Sequence, residues 1–163
     1  MTDVVKVAVE AARAAGKIQR ERAGDIQNIS EKGGLRGDVV TEVDLLCEKE
    51  IISRIKSAFP DHAILAEESG DTQGDVNNKW IIDPLDGSLN YSHGYPCYCV
   101  SIGLEHNGEQ NIGVIYNPNL DELFVAEKGR GATLNGKPIK VSTTESLGKS
   151  LLVTGFTPKI VGS

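Results

Sequence analysis

At Pro60 the hydrophobic period of the chain changes, and that change constrains its fold more than any other feature. Before it, apolar residues recur every three to four positions; after it they come in short runs that alternate or end at acidic residues. A 3.6-residue period fits a helix face and a two-residue period fits a strand, so two helices precede a set of strands. Val4, Ala8, Ala11, Ala15 and Ile18 predict an Ala-rich first helix with one apolar face, ended by Gly24. A Gly-rich loop, Ser30–Asp38, follows. Thr41 then reads as an N-cap with Asp44 three positions on, opening a second helix whose buried face is Cys47, Ile51, Ile55 and Ala58. Phe59-Pro60 ends it.

Beyond Pro60, Ala63–Ala66 is a short strand stopped by Glu67-Glu68, and Ser69–Lys79 reads as a polar loop. Trp80-Ile81-Ile82 is a second buried strand, stopped by Asp83-Pro84. Cys97–Glu105, Asn111–Tyr116 and Leu123–Ala126 read as antiparallel strands, with turns at Asn107-Gly108, Asn117–Asn119 and Asn135-Gly136. Cys97 and Cys99 alternate onto one sheet face as packing residues, and Leu151–Gly155 is expected to be one more buried strand. The class is α+β, two N-terminal helices packed on a largely antiparallel sheet.

Composition excludes several functions. No apolar stretch approaches the roughly 18 residues of a membrane span, and no run of Lys or Arg marks a nucleic-acid surface. Three cysteines make no disulfide framework, and MTDVVKVAVE lacks a signal pattern, so a cytoplasmic setting is expected. The net charge of −6 would repel a phosphate-bearing substrate, so phosphate chemistry here requires cations.

The residues suited to that chemistry are acidic. Glu67 and Asp83 each end an apolar strand, and if those strands are neighbours their carboxylates meet at one sheet edge. Asp86 lies three residues beyond Asp83, and the Leu85 carbonyl between them offers another hard oxygen, the ligand type magnesium takes. Gly87 and Ser88 open a second helix-like start, where backbone N–H groups and a hydroxyl suit a phosphate. Each piece has a plainer reading: Asp44 as a capping residue, Glu67-Glu68 as solvated charge, Asp83-Pro84 as a strand exit and Asp86-Gly87 as a turn. The chain has no Walker-type loop, no dinucleotide fingerprint and no nucleophile elbow, and His62, His93 and His106 form no ligand-spaced pair.

Trp80-Ile81-Ile82-Asp83-Pro84-Leu85-Asp86-Gly87-Ser88-Leu89-Asn90-Tyr91 closely resembles the first signature of the inositol monophosphatase family, D-P-[IL]-D-G-[ST]-x-N-[FY] after a strand. Ala66-Glu67-Glu68-Ser69 is similar to its E-E-S segment, Thr41–Asp44 to its T-x-x-D, and Val100–Gly103 and Lys128–Ala132 to further segments. The resemblance implies the N-terminal part of a layered α/β/α/β/α sugar-phosphatase fold, with a metal- and phosphate-binding domain over 1–148 and the start of a second domain over 149–163. It implies that Glu67, Asp83 and the Leu85 carbonyl hold one magnesium, that Asp83 and Asp86 contribute to a second, and that Glu67 helps a third through water. Gly87 and Ser88 would donate N–H groups to phosphate, Asp44 and Ser88 would orient and deprotonate the attacking water, and Lys32 would neutralise charge nearby. Lithium sensitivity, a homodimer and a small phosphorylated polyol substrate come with the family.

The family's second signature, W-D-x-A-[AG]-[AG], does not occur, since Trp80 is followed by Ile81. The chain is therefore expected to be cut from a longer phosphatase. The leading function is magnesium-dependent hydrolysis of inositol monophosphate, with fructose bisphosphatase or histidinol phosphatase activity as alternatives within the family. A reading of a different class is a catalytically incomplete module that binds metal or another protein.

Overall fold

The computed structural model describes residues 3–31 and 39–153. Helix α1 (Asp3–Arg22) carries an acid in its first turn and Arg20 and Arg22 in its last, matching the helix dipole. Strands β1 (Ile29–Glu31) and β2 (Val39–Thr41) pair antiparallel as a small ribbon. Helix α2 (Glu42–Ala58) starts on the expected capping box: Thr41 and Asp44 satisfy each other's backbone N–H groups. It ends where the Phe59 N–H bonds the Ile55 carbonyl and Pro60 follows.

The main sheet takes β3 (His62–Ala66), β4 (Gly70–Thr72), β5 (Asp75–Asp86), β6 (Cys99–His106), β7 (Glu109–Asn117), β8 (Glu122–Glu127), β9 (Gly131–Leu134) and β10 (Lys137–Ile139). Their order is β10-β9-β8-β7-β6-β5-β3-β4. All neighbours are antiparallel except β3 and β5, which run parallel with Ala66 opposite Ile82. Both helices cover one face, α1 over β6 and β7 and α2 over β3 and β5. The core between the layers holds Ala8, Ala15, Cys47, Ile51, Ile55, Trp80, Ile102 and Tyr116. Cys47 is a packing residue there, as expected, and its burial pushes the thiol up to about 12. Among the described residues no helix is long and apolar enough to cross a membrane.

Five local expectations need correction. The buried stripe of α1 keeps the expected Ala8, Ala11 and Ala15 but also takes in Val5, Ala12, Gly16 and Gln19, leaving Val4 and Ile18 at its margins. A helix wedged between a second helix and a sheet buries a wider stripe than a one-partner helix. Ala58 is exposed, because α2 runs past the layer it covers before Phe59 turns back. Ser69–Lys79 is not all loop: β4 and the first half of β5 form there through backbone pairing, with polar partners such as Lys79 and Glu105, an ion pair at 3.3 Å. Cys97 lies before β6 and is exposed, so only Cys99 stands in the strand. Leu151–Val153 form no strand and are exposed, with no strand beside them among the described residues, and Thr154 and Gly155 lie outside the described residues.

Gly16 allows α1 to lie close on β7. A Cβ there would stand 2.5 Å from Tyr116 Cε1. The Tyr116 ring cannot retreat easily, since its hydroxyl donates to Asp121 Oδ1 at 2.9 Å and accepts from Arg20 Nη1 at 2.9 Å. Gly16→Ala is therefore expected to destabilise the fold by about 1–3 kcal/mol through overpacking. Thermal unfolding would read this as a lower midpoint, and an unchanged midpoint would show that α1 can slide.

Candidate functional site

The parallel pairing of β3 and β5 brings two carboxylates together. β3 ends opposite Ile82 of β5, and the Glu67 N–H donates to the Ile82 carbonyl at 3.0 Å, which sets Glu67 beside Asp83. Asp83 is half-buried, and burial, then the charge and hydrogen bond of Glu67, then the charge of Asp86, push its carboxyl up to about 8. Its Oδ1 accepts the Leu85 N–H at 3.1 Å, so the carboxylate closes back over the turn it begins. The strand does not stop at Asp83 as expected. It continues to Asp86 through a register irregularity, which frees residues between them from regular pairing with β6.

Asp86 is exposed and faces Cys99 across the pair, with Cys99 Sγ 3.8 Å from Asp86 Oδ2. Burial, then the charges of Asp86 and Asp83, push the Cys99 thiol up to about 12, so it is a neutral neighbour rather than a nucleophile. At Gly87 the chain takes φ 97°, and a Cβ would meet the Cys97 carbonyl at 2.8 Å. Only glycine fits both the dihedral and the space. The single-turn helix α3 (Ser88–Ser92) begins there.

Asp44 makes the expected cap and also reaches Ser88. It is fully buried at the first turn of α2, and its Oδ2 accepts from Thr41 N at 2.9 Å and Thr41 Oγ1 at 2.6 Å. Its other oxygen, Oδ1, accepts from Ser88 Oγ at 2.5 Å, and Ser88 Oγ also lies 2.9 Å from the Leu85 carbonyl. Capping therefore orients the same carboxylate that reaches the Asp83–Ser88 turn. Lys32 lies outside the described residues. Glu67, Asp83, Leu85, Asp86, Gly87, Ser88 and Asp44 all fall in one neighbourhood around the β3 and β5 ends and the start of α2. Glu67 and Asp83 also line an open depression of about 1110 Å³ on the sheet face away from the helices.

Sequence reading missed Glu48. Buried at 4% exposure, it accepts the Glu68 N–H at 2.9 Å and the Ser69 N–H at 3.0 Å, fixing the turn that carries Glu67. Its position four residues after Asp44, on the same helix face, was the available signal. Glu42 does the same for another loop, accepting the Gln27 and Asn28 N–H groups at 2.6 and 2.8 Å. The bond from Gln27 contributes most to holding the Glu42 carboxyl below its usual range.

The profile of the inositol monophosphatase family matches residues 1–161. The inositol-1-monophosphatase of Synechocystis sp. is 54% identical over 154 residues, which cover 93% of this chain and 53% of that protein. A solved inositol monophosphatase from Anabaena (Nostoc) superposes with a TM-score of 0.75 at 46% identity, covering 90% of this chain and 52% of that one. An IMPase/NADP phosphatase solved in complex with Mg2+ and phosphate has a TM-score of 0.69 at 26% identity, over 77% of this chain and 48% of that one. The chain thus spans about half the length of the relatives it matches. With its signature segment, its carboxylate-lined turn and its fold all in agreement, this chain belongs to the inositol monophosphatase family.

Proposed function

We propose that the chain carries the metal- and phosphate-handling part of a magnesium-dependent phosphomonoesterase that hydrolyses inositol monophosphate. The observation that carries this reading is the meeting of Glu67 and Asp83 at adjacent parallel strand ends, with Asp83 pushed up to about 8 by burial and by its acidic neighbours. A cation among these groups would relieve both causes. The donors are all hard oxygens: the Glu67 and Asp83 carboxylates with the Leu85 carbonyl for one magnesium, and Asp83 with Asp86 for a second. Among the described residues no three His, Cys, Asp or Glu side chains form a ligand group by themselves. A relative solved in complex with Mg2+ and phosphate supports magnesium as the ion.

Magnesium, when bound, would supply positive charge against the phosphate and make water more acidic. The chain's own groups do the rest. Ser88 Oγ donates to Asp44 Oδ1, which would leave its lone pairs to orient a water. As the water oxygen bonds to phosphorus, the P–O bond to inositol would break; the water's proton would pass to Ser88 Oγ while the Ser88 proton passes to Asp44, and the departing inositol oxygen would take its proton from solvent water. Thr41 holds Asp44 in the orientation that receives it. The backbone N–H groups of Gly87 and Ser88 would donate to the phosphate oxygens, at a turn whose dihedral and close approach to Cys97 only glycine fits. Lithium sensitivity, a cytoplasmic setting and a homodimer belong to the same reading.

Phosphate release by this chain from inositol 1-phosphate, with and without magnesium, tests it. Fructose 1,6-bisphosphate and histidinol phosphate serve as competing substrates. Magnesium-dependent release, fastest from inositol 1-phosphate and lowered by lithium, is expected. Magnesium binding without release from any of the three would favour the second reading, a metal-binding module. The chain's coverage of only about half of its relatives is what keeps that reading in view.

A further inference from the structure

Helix α1 reaches the Asp83–Asp86 turn through a side chain that has no part in the chemistry described above. Gln19 is fully buried, and its Nε2 donates to the Pro84 carbonyl at 2.8 Å. A peptide unit is planar, so the Pro84 carbonyl and the Leu85 N–H turn together as one body. That N–H is the group that donates to Asp83 Oδ1 at 3.1 Å. Gln19 thus holds one edge of a plane whose opposite edge aims the Asp83 carboxylate. The Tyr91 hydroxyl adds a second tie, donating at 2.7 Å to the backbone carbonyl of Gln19. That carbonyl is among the last four of α1, which have no intrahelical partner. One residue of α1 therefore grips the segment before Gly87 and the helix after it.

Packing alone does not account for an amide at this place. Gln19 Oε1 is buried without a hydrogen-bond partner among the described residues, an arrangement that costs stability. An apolar side chain of the same volume would avoid that cost.

We propose that Gln19 is a positioning residue: through the Pro84–Leu85 peptide it fixes the direction in which Asp83 presents its carboxylate to a divalent cation. The inference rests on the metal reading given under Proposed function, and its test separates the two. Gln19→Met keeps the volume but removes the donor, whereas Gln19→Asn keeps an amide one methylene too short to reach Pro84. Hydrogen exchange at the Leu85 amide, thermal unfolding and calorimetric magnesium binding are measured on both variants and on the unsubstituted chain.

Faster Leu85 exchange in both variants is expected, with magnesium bound roughly ten- to a hundredfold more weakly, the range typical of groups that orient ligands. Gln19→Met strands the Pro84 carbonyl but removes the unpaired oxygen, so its unfolding midpoint should shift little. A lower midpoint with undiminished magnesium affinity would mean a structural role only and overturns the proposal. Unchanged Leu85 exchange overturns it as well, whatever the metal does, and so does failure of both variants to fold. If the unsubstituted chain binds no magnesium, the metal reading falls and the exchange measurement alone decides whether Gln19 holds the turn.

Discussion

Asp83→Asn is expected to weaken magnesium binding by at least about a hundredfold, beyond the roughly 10–100-fold loss typical when a group outside the ligand sphere is removed. The amide has nearly the shape of the carboxylate and still offers Oδ1 to the Leu85 N–H, so the turn should survive. What disappears is the charge shared between the two proposed ion positions. The pH dependence gives an independent signature. With its carboxyl raised from an ordinary 3.8 to about 8, Asp83 is more readily protonated in the folded chain than in the unfolded one. Its contribution to stability is therefore complete below about pH 4 and is lost as pH rises through about 8. The metal-free chain should lose this contribution between pH 5 and pH 8.5, magnesium should restore the midpoint at the higher pH, and Asp83→Asn should remove the dependence. Magnesium affinity should rise over the same interval, because the ion must displace the proton. Calorimetry at pH 6 and pH 8.5 checks this, and equal affinity at both would remove Asp83 from the ligand set.

The second large effect separates capping from chemistry at Asp44. Asp44→Ala deletes the acceptor for Thr41 N, Thr41 Oγ1 and Ser88 Oγ in a fully buried place. Loss of the cap and a stranded N–H together are expected to cost about 2–4 kcal/mol, or roughly 5–15 °C in the unfolding midpoint. Asp44→Asn is gentler on the fold. Its oxygen can still accept from Thr41, and the Ser88 hydroxyl can rotate to accept from its amide. It has no charge with which to receive a proton, so phosphate release should fall by about 10²–10⁴ with a much smaller change in midpoint. If Asp44→Asn retained near-normal turnover, Asp44 would be a capping residue alone.

Both predictions depend on features of different legibility. The capping box at Thr41 and Asp44 lies within four residues, and its geometry follows from any helix that begins there. Its second use, as the partner of Ser88, joins positions 44 apart and has no local signature. Glu67 and Asp83 were visible as strand-ending acids, yet their approach needs β3 and β5 to be parallel neighbours in one register. A shift of one residue would send each side chain to the opposite face. Glu48 and Gln19 were less visible still. A charged residue and an amide on helix faces read as solvated, and only the turns packed over them turn them into buried hydrogen-bonding groups.

The misread segments follow the same division. The expected face of α1 holds at Ala8, Ala11 and Ala15, but its edges lie at Val5 and Gln19 rather than Val4 and Ile18, because burial there depends on the two layers that flank the helix. Polar Asp75–Lys79 carries no strand pattern, because its place in β5 comes from backbone bonds to β6 rather than from a buried face. Cys97 shares the alternation of a strand that begins two residues later, where pairing with Asp86 starts.

What the sequence determined by itself is the set of local choices: helix before strand, the caps, the turns, and the acidic segment that marks the family. Those are encoded within a few residues, where steric limits and backbone hydrogen bonding decide the outcome. The tertiary structure decided which carboxylates meet, how far the buried face of α1 extends, and how Asp44 comes to serve a cap and a serine together. Those outcomes depend on strand order and register between segments distant in sequence, which a local pattern does not encode because the free energy that selects them comes from burying the two layers against each other.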